Sequence, residues 1–195
     1  MIIKNATFIT SAARPEQFLT PQKPLIAICG KSNVGKSSLI NMLANQKKLA
    51  KTSSSPGRTR LVNYFDFGEF WLADLPGYGY AQVSKVEKEK WAKTLQKFFE
   101  RGKDITHVLI LIDIRHGATE DDMALLQLLN YHIIPFTVVF TKADKLSRMK
   151  VNEHAKKIAD SMFLTRLNTI VTSSESRLGK EELLNKIESV ITKDF

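Results

Sequence analysis

Gly30-Lys31-Ser32-Asn33-Val34-Gly35-Lys36-Ser37 follows the apolar run LIAIC and leads into SLINMLA. That order of residues matches G-x-x-x-x-G-K-[ST], set between a strand-like and a helix-like segment as the pattern requires. Glycines let the backbone curl, so that successive N–H groups converge on phosphate oxygens at the positive end of the following helix. In such a loop the Lys36 ammonium reaches the β and γ phosphates of a nucleoside triphosphate. The Ser37 hydroxyl, followed by Ser38, is placed to ligate Mg²⁺. This loop binds phosphates and does not choose the base.

A second group of residues can choose it. FTKADK puts Thr141, Lys142, Ala143 and Asp144 at the end of the apolar run PFTVVF. The Asp144 carboxylate can accept two hydrogen bonds, from the guanine N1–H and the exocyclic amine. Adenine lacks that pair of donors and would leave the carboxylate desolvated without partners. The Lys142 stem can cover a base. Further on, TSSES (Thr172, Ser173, Ser174, Glu175 and Ser176) offers the backbone N–H groups of Ser173 and Ser174 to the guanine O6.

A third stretch, DLPGYGYA at 74–81, sets an aspartate three positions ahead of a glycine, the arrangement of a nucleotide switch. Tyr78 follows that glycine, where signalling GTPases carry a glutamine that orients the attacking water. A phenol cannot do that work. Its ring is expected to point away from the phosphate and pack elsewhere.

These segments need elements to bring them together. The 195 residues are 43% hydrophobic and 25% charged, enough for one α/β domain spanning 1–195 with a buried core. Strands are predicted at 25–29, 61–67, 69–74, 107–113, 135–141 and 168–172, with a further edge strand at 2–10. Helices are predicted at 36–46, 84–101, 120–131, 148–163 and 180–192. Alternation of this kind gives a six-stranded, mostly parallel sheet with helices on both faces. The strands at 61–67 and 69–74 are too close for a crossover and must form an antiparallel hairpin. Within 84–101, Trp91, Leu95, Phe98 and Phe99 recur at helical spacing and should face the core, with Lys85, Lys88, Lys90, Lys93 and Lys97 on the solvated side. The lone Cys29 lies in an apolar run and should be a buried thiol, as suits a reducing compartment. The start MIIKNATFITSA lacks the apolar region of a signal peptide, and no apolar run is long enough to cross a bilayer. A cytoplasmic protein is expected.

The phosphate loop, SSSPGRTR, DLPG, TKAD and TSSE follow one another in the order of the Ras-like GTPase elements. The longer strings GKSNVGKSSLIN, SSPGRT and DLPGYGYA resemble the EngB/YihA/YsxC family of bacterial GTPases, within the TrmE–Era–EngA–EngB–septin group. The resemblance implies a Ras-like P-loop fold, binding of GTP or GDP with Mg²⁺, and a role in assembling the large ribosomal subunit. It also implies a link to normal cell division and septation. Carried over by position, Gly57, Arg58, Thr59, Arg60 and Leu61 form the first switch, with Thr59 completing the Mg²⁺ shell. Asp74 would hold Mg²⁺ through a water, with Leu75 and Pro76 beside it, and the Gly77 N–H would bond the γ-phosphate. Loss of that phosphate would then release both switches. The wider group hydrolyses GTP without the glutamine. Members with an asparagine in the phosphate loop recruit a monovalent cation, which makes K⁺ near Asn33 a candidate for the charge that an arginine finger supplies elsewhere. Alternatively Asn33 only shapes the loop, or Arg58 and Arg60 swing onto the phosphates. Lys31 stands where arginine is more usual, with no chemical consequence.

The net charge of +9 favours a polyanionic partner, RNA or an acidic membrane surface. From Phe18 to Phe65 there is no acidic residue, while Lys23, Lys31, Lys36, Lys47, Lys48, Lys51, Arg58 and Arg60 fall in that span. No RNA module with stacking aromatics is recognisable, so contact would be through phosphates and shape. The leading expectation is a slow, monomeric GTPase that docks on a large-subunit precursor. A membrane-associated, GTP-controlled division component finds no amphipathic anchor or lipidation signal to support it. A small-molecule kinase is disfavoured by TKAD and by the lack of a lid insertion. The base assignment is open to direct test: Asp144→Asn should shift preference from guanine toward xanthine nucleotides in a binding titration, and unchanged GTP affinity would overturn it.

Overall fold

The computed structural model describes residues 1–51, 61–79 and 85–192, without the side chains of 85–88, 90 and 91. Its strands are β1 (Thr7–Ala12), β2 (Leu25–Gly30), β3 (Val62–Asp66), β4 (Trp71–Asp74), β5 (His107–Asp113), β6 (Phe136–Thr141) and β7 (Thr169–Val171). The helices are α1 (Lys36–Ala44), α2 (Lys85–Phe99), α3 (Glu120–Tyr131), α4 (Arg148–Ser161) and α5 (Lys180–Ile191). The strands form one seven-stranded sheet in the order β1-β3-β4-β2-β5-β6-β7. β4, β2, β5, β6 and β7 run parallel, while β3 is antiparallel to both its neighbours.

The period-2 alternation of the central strands sorts their side chains onto two faces. Ala27, Cys29, Val108, Ile110, Val138 and Phe140 face a core that takes Leu95, Phe98 and Phe99 of α2, Leu125 and Leu129 of α3, and Ile158 of α4. Ile26, Ile28, Leu109, Leu111 and Val139 face the other way, onto Leu39 and Leu43 of α1 and Leu183 and Ile187 of α5. The expected core-facing positions of α2 are therefore buried where they are described; Trp91 lies outside the described side chains. Cys29 is buried, and desolvation pushes its thiol far above the ordinary range, so it stays protonated.

The hairpin between β3 and β4 turns at Phe67–Phe70, with Gly68 at φ 88° and the Asp66 carboxylate accepting its N–H at 2.7 Å. The edge strand differs from its expected place. It begins at Thr7 rather than near residue 2, because Ile3 and Ala6 are buried in the α1/α5 core and β1 must pair with β3 from Thr7↔Asp66 to Ala12↔Val62.

His107 opens β5 fully inside the protein, with Nε2 bonded to the Thr137 hydroxyl at 2.9 Å. Burial lowers its pKa from 6.5 to about 4, so the native state keeps the ring neutral where the unfolded chain protonates it. The unfolded state then binds more protons between those two values, and stability must fall as pH drops through that window. Urea melts should show a loss of about 2 kcal/mol from pH 7 to pH 5 attributable to this ring. The slope should be correspondingly flatter in His107→Gln.

Candidate functional site

The phosphate loop links the C-terminal end of β2 to α1, at the edge where parallel sheets of this kind place ligands. Gly35 sits at φ 111°, a left-handed conformation that glycine alone adopts without strain, and it caps the start of α1. Asn33 also holds a left-handed conformation at φ 60°, which asparagine tolerates better than most side chains. The first turn of α1 carries Lys36 and Ser37, with its unpaired N–H groups facing the loop as at any helix start.

A loop with inward-pointing N–H groups leaves carbonyls pointing outward, and these need donors. The end of β6 supplies them. Thr141 Oγ1 donates to the Val34 carbonyl at 2.7 Å, and Lys142 Nζ donates to the Asn33 carbonyl at 2.6 Å. The Lys142 stem is thus stretched between the end of β6 and the phosphate loop. Its ammonium also pairs with Asp113 at 3.0 Å, and Asp113 accepts from the Arg115 guanidinium at 2.7 and 2.9 Å. Burial alone would raise the Asp113 pKa, but the hydrogen bonds from Arg115 and Lys142 hold it far below the usual carboxylate range.

Asp144 lies next to this bridge in a short turn, Ala143–Lys145. Its Oδ1 accepts from the Ser173 hydroxyl at 2.6 Å, and its Oδ2 pairs with Lys145 at 2.9 Å. The Ser173 bond and then Lys145 lower its pKa, so the carboxylate is charged and oriented at neutral pH. Thr172 is buried and holds Ala143, its carbonyl accepting the Ala143 N–H at 3.2 Å. One expectation changes here. The Ser173 N–H donates to the Leu178 carbonyl at 3.1 Å, so this amide is already engaged and the residue acts on the site through its hydroxyl. Ser174 and Glu175 follow in the turn beside it.

The switch stretch joins from β4. Asp74 ends that strand, 5% exposed, with Oδ1 lacking any hydrogen-bond partner among the described residues. Desolvation raises its pKa to about 6, against the opposing pull of Lys36 and of a hydrogen bond from Asn63. A buried carboxylate oxygen left unpaired beside Lys36 suits a divalent cation, whose charge would hold the group ionised. Beyond Leu75 and Pro76, Gly77 lies so close to the phosphate loop that a Cβ there would stand 3.0 Å from Lys36 Nζ and 3.2 Å from Ser32 N. The structure therefore gathers the phosphate loop, Asp74, Gly77, Lys142 and Asp144 at one edge of the sheet. Gly57, Arg58, Thr59 and Arg60 lie outside the described residues, and Leu61 precedes β3.

Tyr78 points away from this edge. Its ring is 3% exposed, packed in the core beneath α2 and α3, and its hydroxyl donates to the Asp122 carboxylate. Two acidic residues were thus invisible as site-related from spacing alone. Asp122 had a local signal, since Thr119 and Asp122 fit a helix-start capping box. Asp113 had none.

Residues 25–142 match the family profile of the 50S ribosome-binding GTPases. The chain is similar to the probable GTP-binding protein EngB of Clostridium kluyveri, at 44% identity over 193 residues, covering 98% of each chain. It is 45% identical over 189 residues to the probable GTP-binding protein EngB of Pelotomaculum thermopropionicum, covering 96% of each. A crystal structure of a probable GTP-binding protein EngB superposes with a TM-score of 0.74 at 26% identity, covering 87% of this chain and 99% of that one. Era in complex with MgGDPNP and a segment of 16S ribosomal RNA superposes with a TM-score of 0.68 over 86% of this chain and 56% of that one. At 24% identity that second likeness is one of fold.

The Ser173–Asp144 bond gives a quantitative expectation. Ser173→Ala removes the donor that aims a charged acceptor and should weaken guanine-nucleotide affinity by about tenfold. A fluorescent-GDP titration checks this, and an unchanged affinity would show that Asp144 needs no such support.

Proposed function

The chain belongs to the EngB family of GTP-binding proteins, and from that premise we propose a GTPase whose nucleotide state gates its docking on a precursor of the large ribosomal subunit. The observation that carries the reading is the joining of the phosphate loop to the base-reading segment through Thr141 and Lys142, with an oriented, ionised Asp144 beside them. In this reading Gly30 to Ser38 cradle the phosphates, Lys36 neutralises the β and γ groups, and Asp144 selects guanine. Thr172 to Glu175 line the base side, and Leu61 closes the first switch. Ser37, Thr59 and Asp74 are the residues that would hold Mg²⁺, which supplies charge neutralisation between the terminal phosphates when bound. The unpaired Asp74 Oδ1 supports that assignment.

Hydrolysis by attack of water on the γ-phosphate proceeds without a side chain at position 78 to orient the water, since the phenol is committed to the core. Charge is then the remaining source of acceleration. Asn33, left-handed and exposed at the mouth of the loop, supports a K⁺ site against the phosphates. Turnover alone is slow, as suits a timer.

The partner follows from charge. Lys47, Lys48 and Lys51 are exposed on the segment that runs from α1 toward the first switch, with no acidic neighbour in that stretch of chain. Lys23 is spent on an ion pair with Asp66 at 2.9 Å and is not part of that patch. A basic surface next to a segment that responds to GTP is what a nucleotide-gated RNA contact requires. The match to ribosome-binding GTPases favours ribosomal RNA and proteins as the polyanionic target. The protein acts as a monomer in the cytoplasm, and normal cell division and septation depend on the same activity. Among the described residues no helix is long and apolar enough to cross a membrane.

Co-sedimentation with large-subunit particles should be strong with a GTP analogue and weak with GDP. Failure to co-sediment in either state would end the ribosomal reading. Turnover should be faster in potassium than in sodium buffer, and equal rates would remove the cation from the mechanism.

A further inference from the structure

The stretch after β4 is laid onto the phosphate loop by its backbone. The Tyr78 carbonyl accepts the Ser32 N–H at 2.8 Å, the Tyr78 N–H donates to the Gly30 carbonyl at 3.4 Å, and Lys31 and Tyr78 form an isolated parallel bridge. Gly77 is thereby pressed over the Lys36 ammonium, the group a terminal phosphate must reach. In this docked arrangement a diphosphate has less to displace than a triphosphate. Admitting a γ-phosphate means lifting Gly77 and Tyr78 from Ser32, the reverse of the expectation that the phosphate draws Gly77 in and its loss releases the switch.

What holds the stretch down lies on its other side. The Tyr78 hydroxyl donates to Asp122 Oδ1, while Asp122 Oδ2 accepts the Thr119 N–H and the Thr119 hydroxyl, each at 2.7 Å. Asp122 is only 3% exposed and stands in the first turn of α3. One buried carboxylate therefore takes its donors from the switch and from the capped end of a helix at once. Withdrawing the phenol would leave Oδ1 desolvated and without a partner among the described residues, a cost that opposes movement of Tyr78. Asp121 and Asp122 both disfavour ionisation of the phenol, after the larger effect of burial, so the hydroxyl remains a donor across the working pH range.

We propose that Asp122 is a positioning residue for nucleotide discrimination: by anchoring the Tyr78 hydroxyl to the start of α3 it holds Gly77 over Lys36 and biases the site toward the diphosphate. This rests on the GTPase reading above and adds the regulation of its switch. Tyr78 stands in place of the water-orienting glutamine, and its role is to set how readily the switch lifts.

The test is a titration of GDP and of a non-hydrolysable GTP analogue against wild type, Tyr78→Phe, Asp122→Asn and the double variant. Tyr78→Phe keeps the buried ring and leaves the Thr119–Asp122 cap intact, so it reports the latch without disturbing the helix start. It should shift the ratio of GTP-analogue to GDP affinity by about tenfold toward the triphosphate. Asp122→Asn should shift the ratio the same way, and the double variant should go no further than either single one. A purely structural Asp122 would lower the melting temperature and leave the ratio alone. If wild type binds both nucleotides and Tyr78→Phe leaves the ratio unchanged, or if the two shifts add independently, the latch is overturned. Absence of nucleotide binding in wild type would instead overturn the GTPase reading itself, and the latch with it.

Discussion

A backbone that turns its N–H groups inward to hold phosphate must turn carbonyls outward, and a buried carbonyl without a donor is costly. Here the donors come from the end of β6. Thr141 satisfies the buried Val34 carbonyl and Lys142 bonds the exposed Asn33 carbonyl, so the end of β6 braces the phosphate loop. Asp113 and Arg115 at the end of β5 then fix the Lys142 head. The phosphate loop after β2 and the segment after β6 are in this way one hydrogen-bonded unit, spanning the intervening β5.

In the proposed latch the opposite side of the site is the part that gives way. β4 delivers Asp74 from within the sheet, buried, but the next residues touch the phosphate loop through two backbone bonds and reach α3 through one phenol. In the proposed latch those bonds compete with a terminal phosphate for Ser32 and Lys36. The proposed latch thus pairs a fixed half, β6 with the loop, and a displaceable half, the stretch from Gly77 to Tyr78. That pairing is what a two-state reporter of phosphate number requires.

Much of this was legible in the sequence because it is carried by local pattern. The apolar runs that become β2, β5 and β6 are continuous, as strands buried on both faces must be, and the glycine and lysine spacing of the phosphate loop is a local chemical requirement. The hairpin was forced by chain length alone. What escaped was set by contacts between segments far apart in the chain. The start of β1 depends on its register against β3, and the engagement of the Ser173 amide depends on how the chain returns at Leu178. Asp113 and Asp122 were not singled out, and it is the meeting of β5 with Lys142, and of α3 with Tyr78, that ties them to the site. A polar residue's local setting says little when its donor lies thirty or more residues away, as Tyr78 does from Asp122 at a separation of 44.

The central claim is that one oriented carboxylate and one braced loop together recognise a guanine nucleotide. Competition for bound fluorescent GDP, in Mg²⁺ buffer, tests it most directly. GTP should displace the probe, and ATP should fail to do so at about a hundredfold higher concentration, because adenine offers Asp144 no matching donors. Displacement by ATP as readily as by GTP, or no binding of the probe at all, would contradict the account.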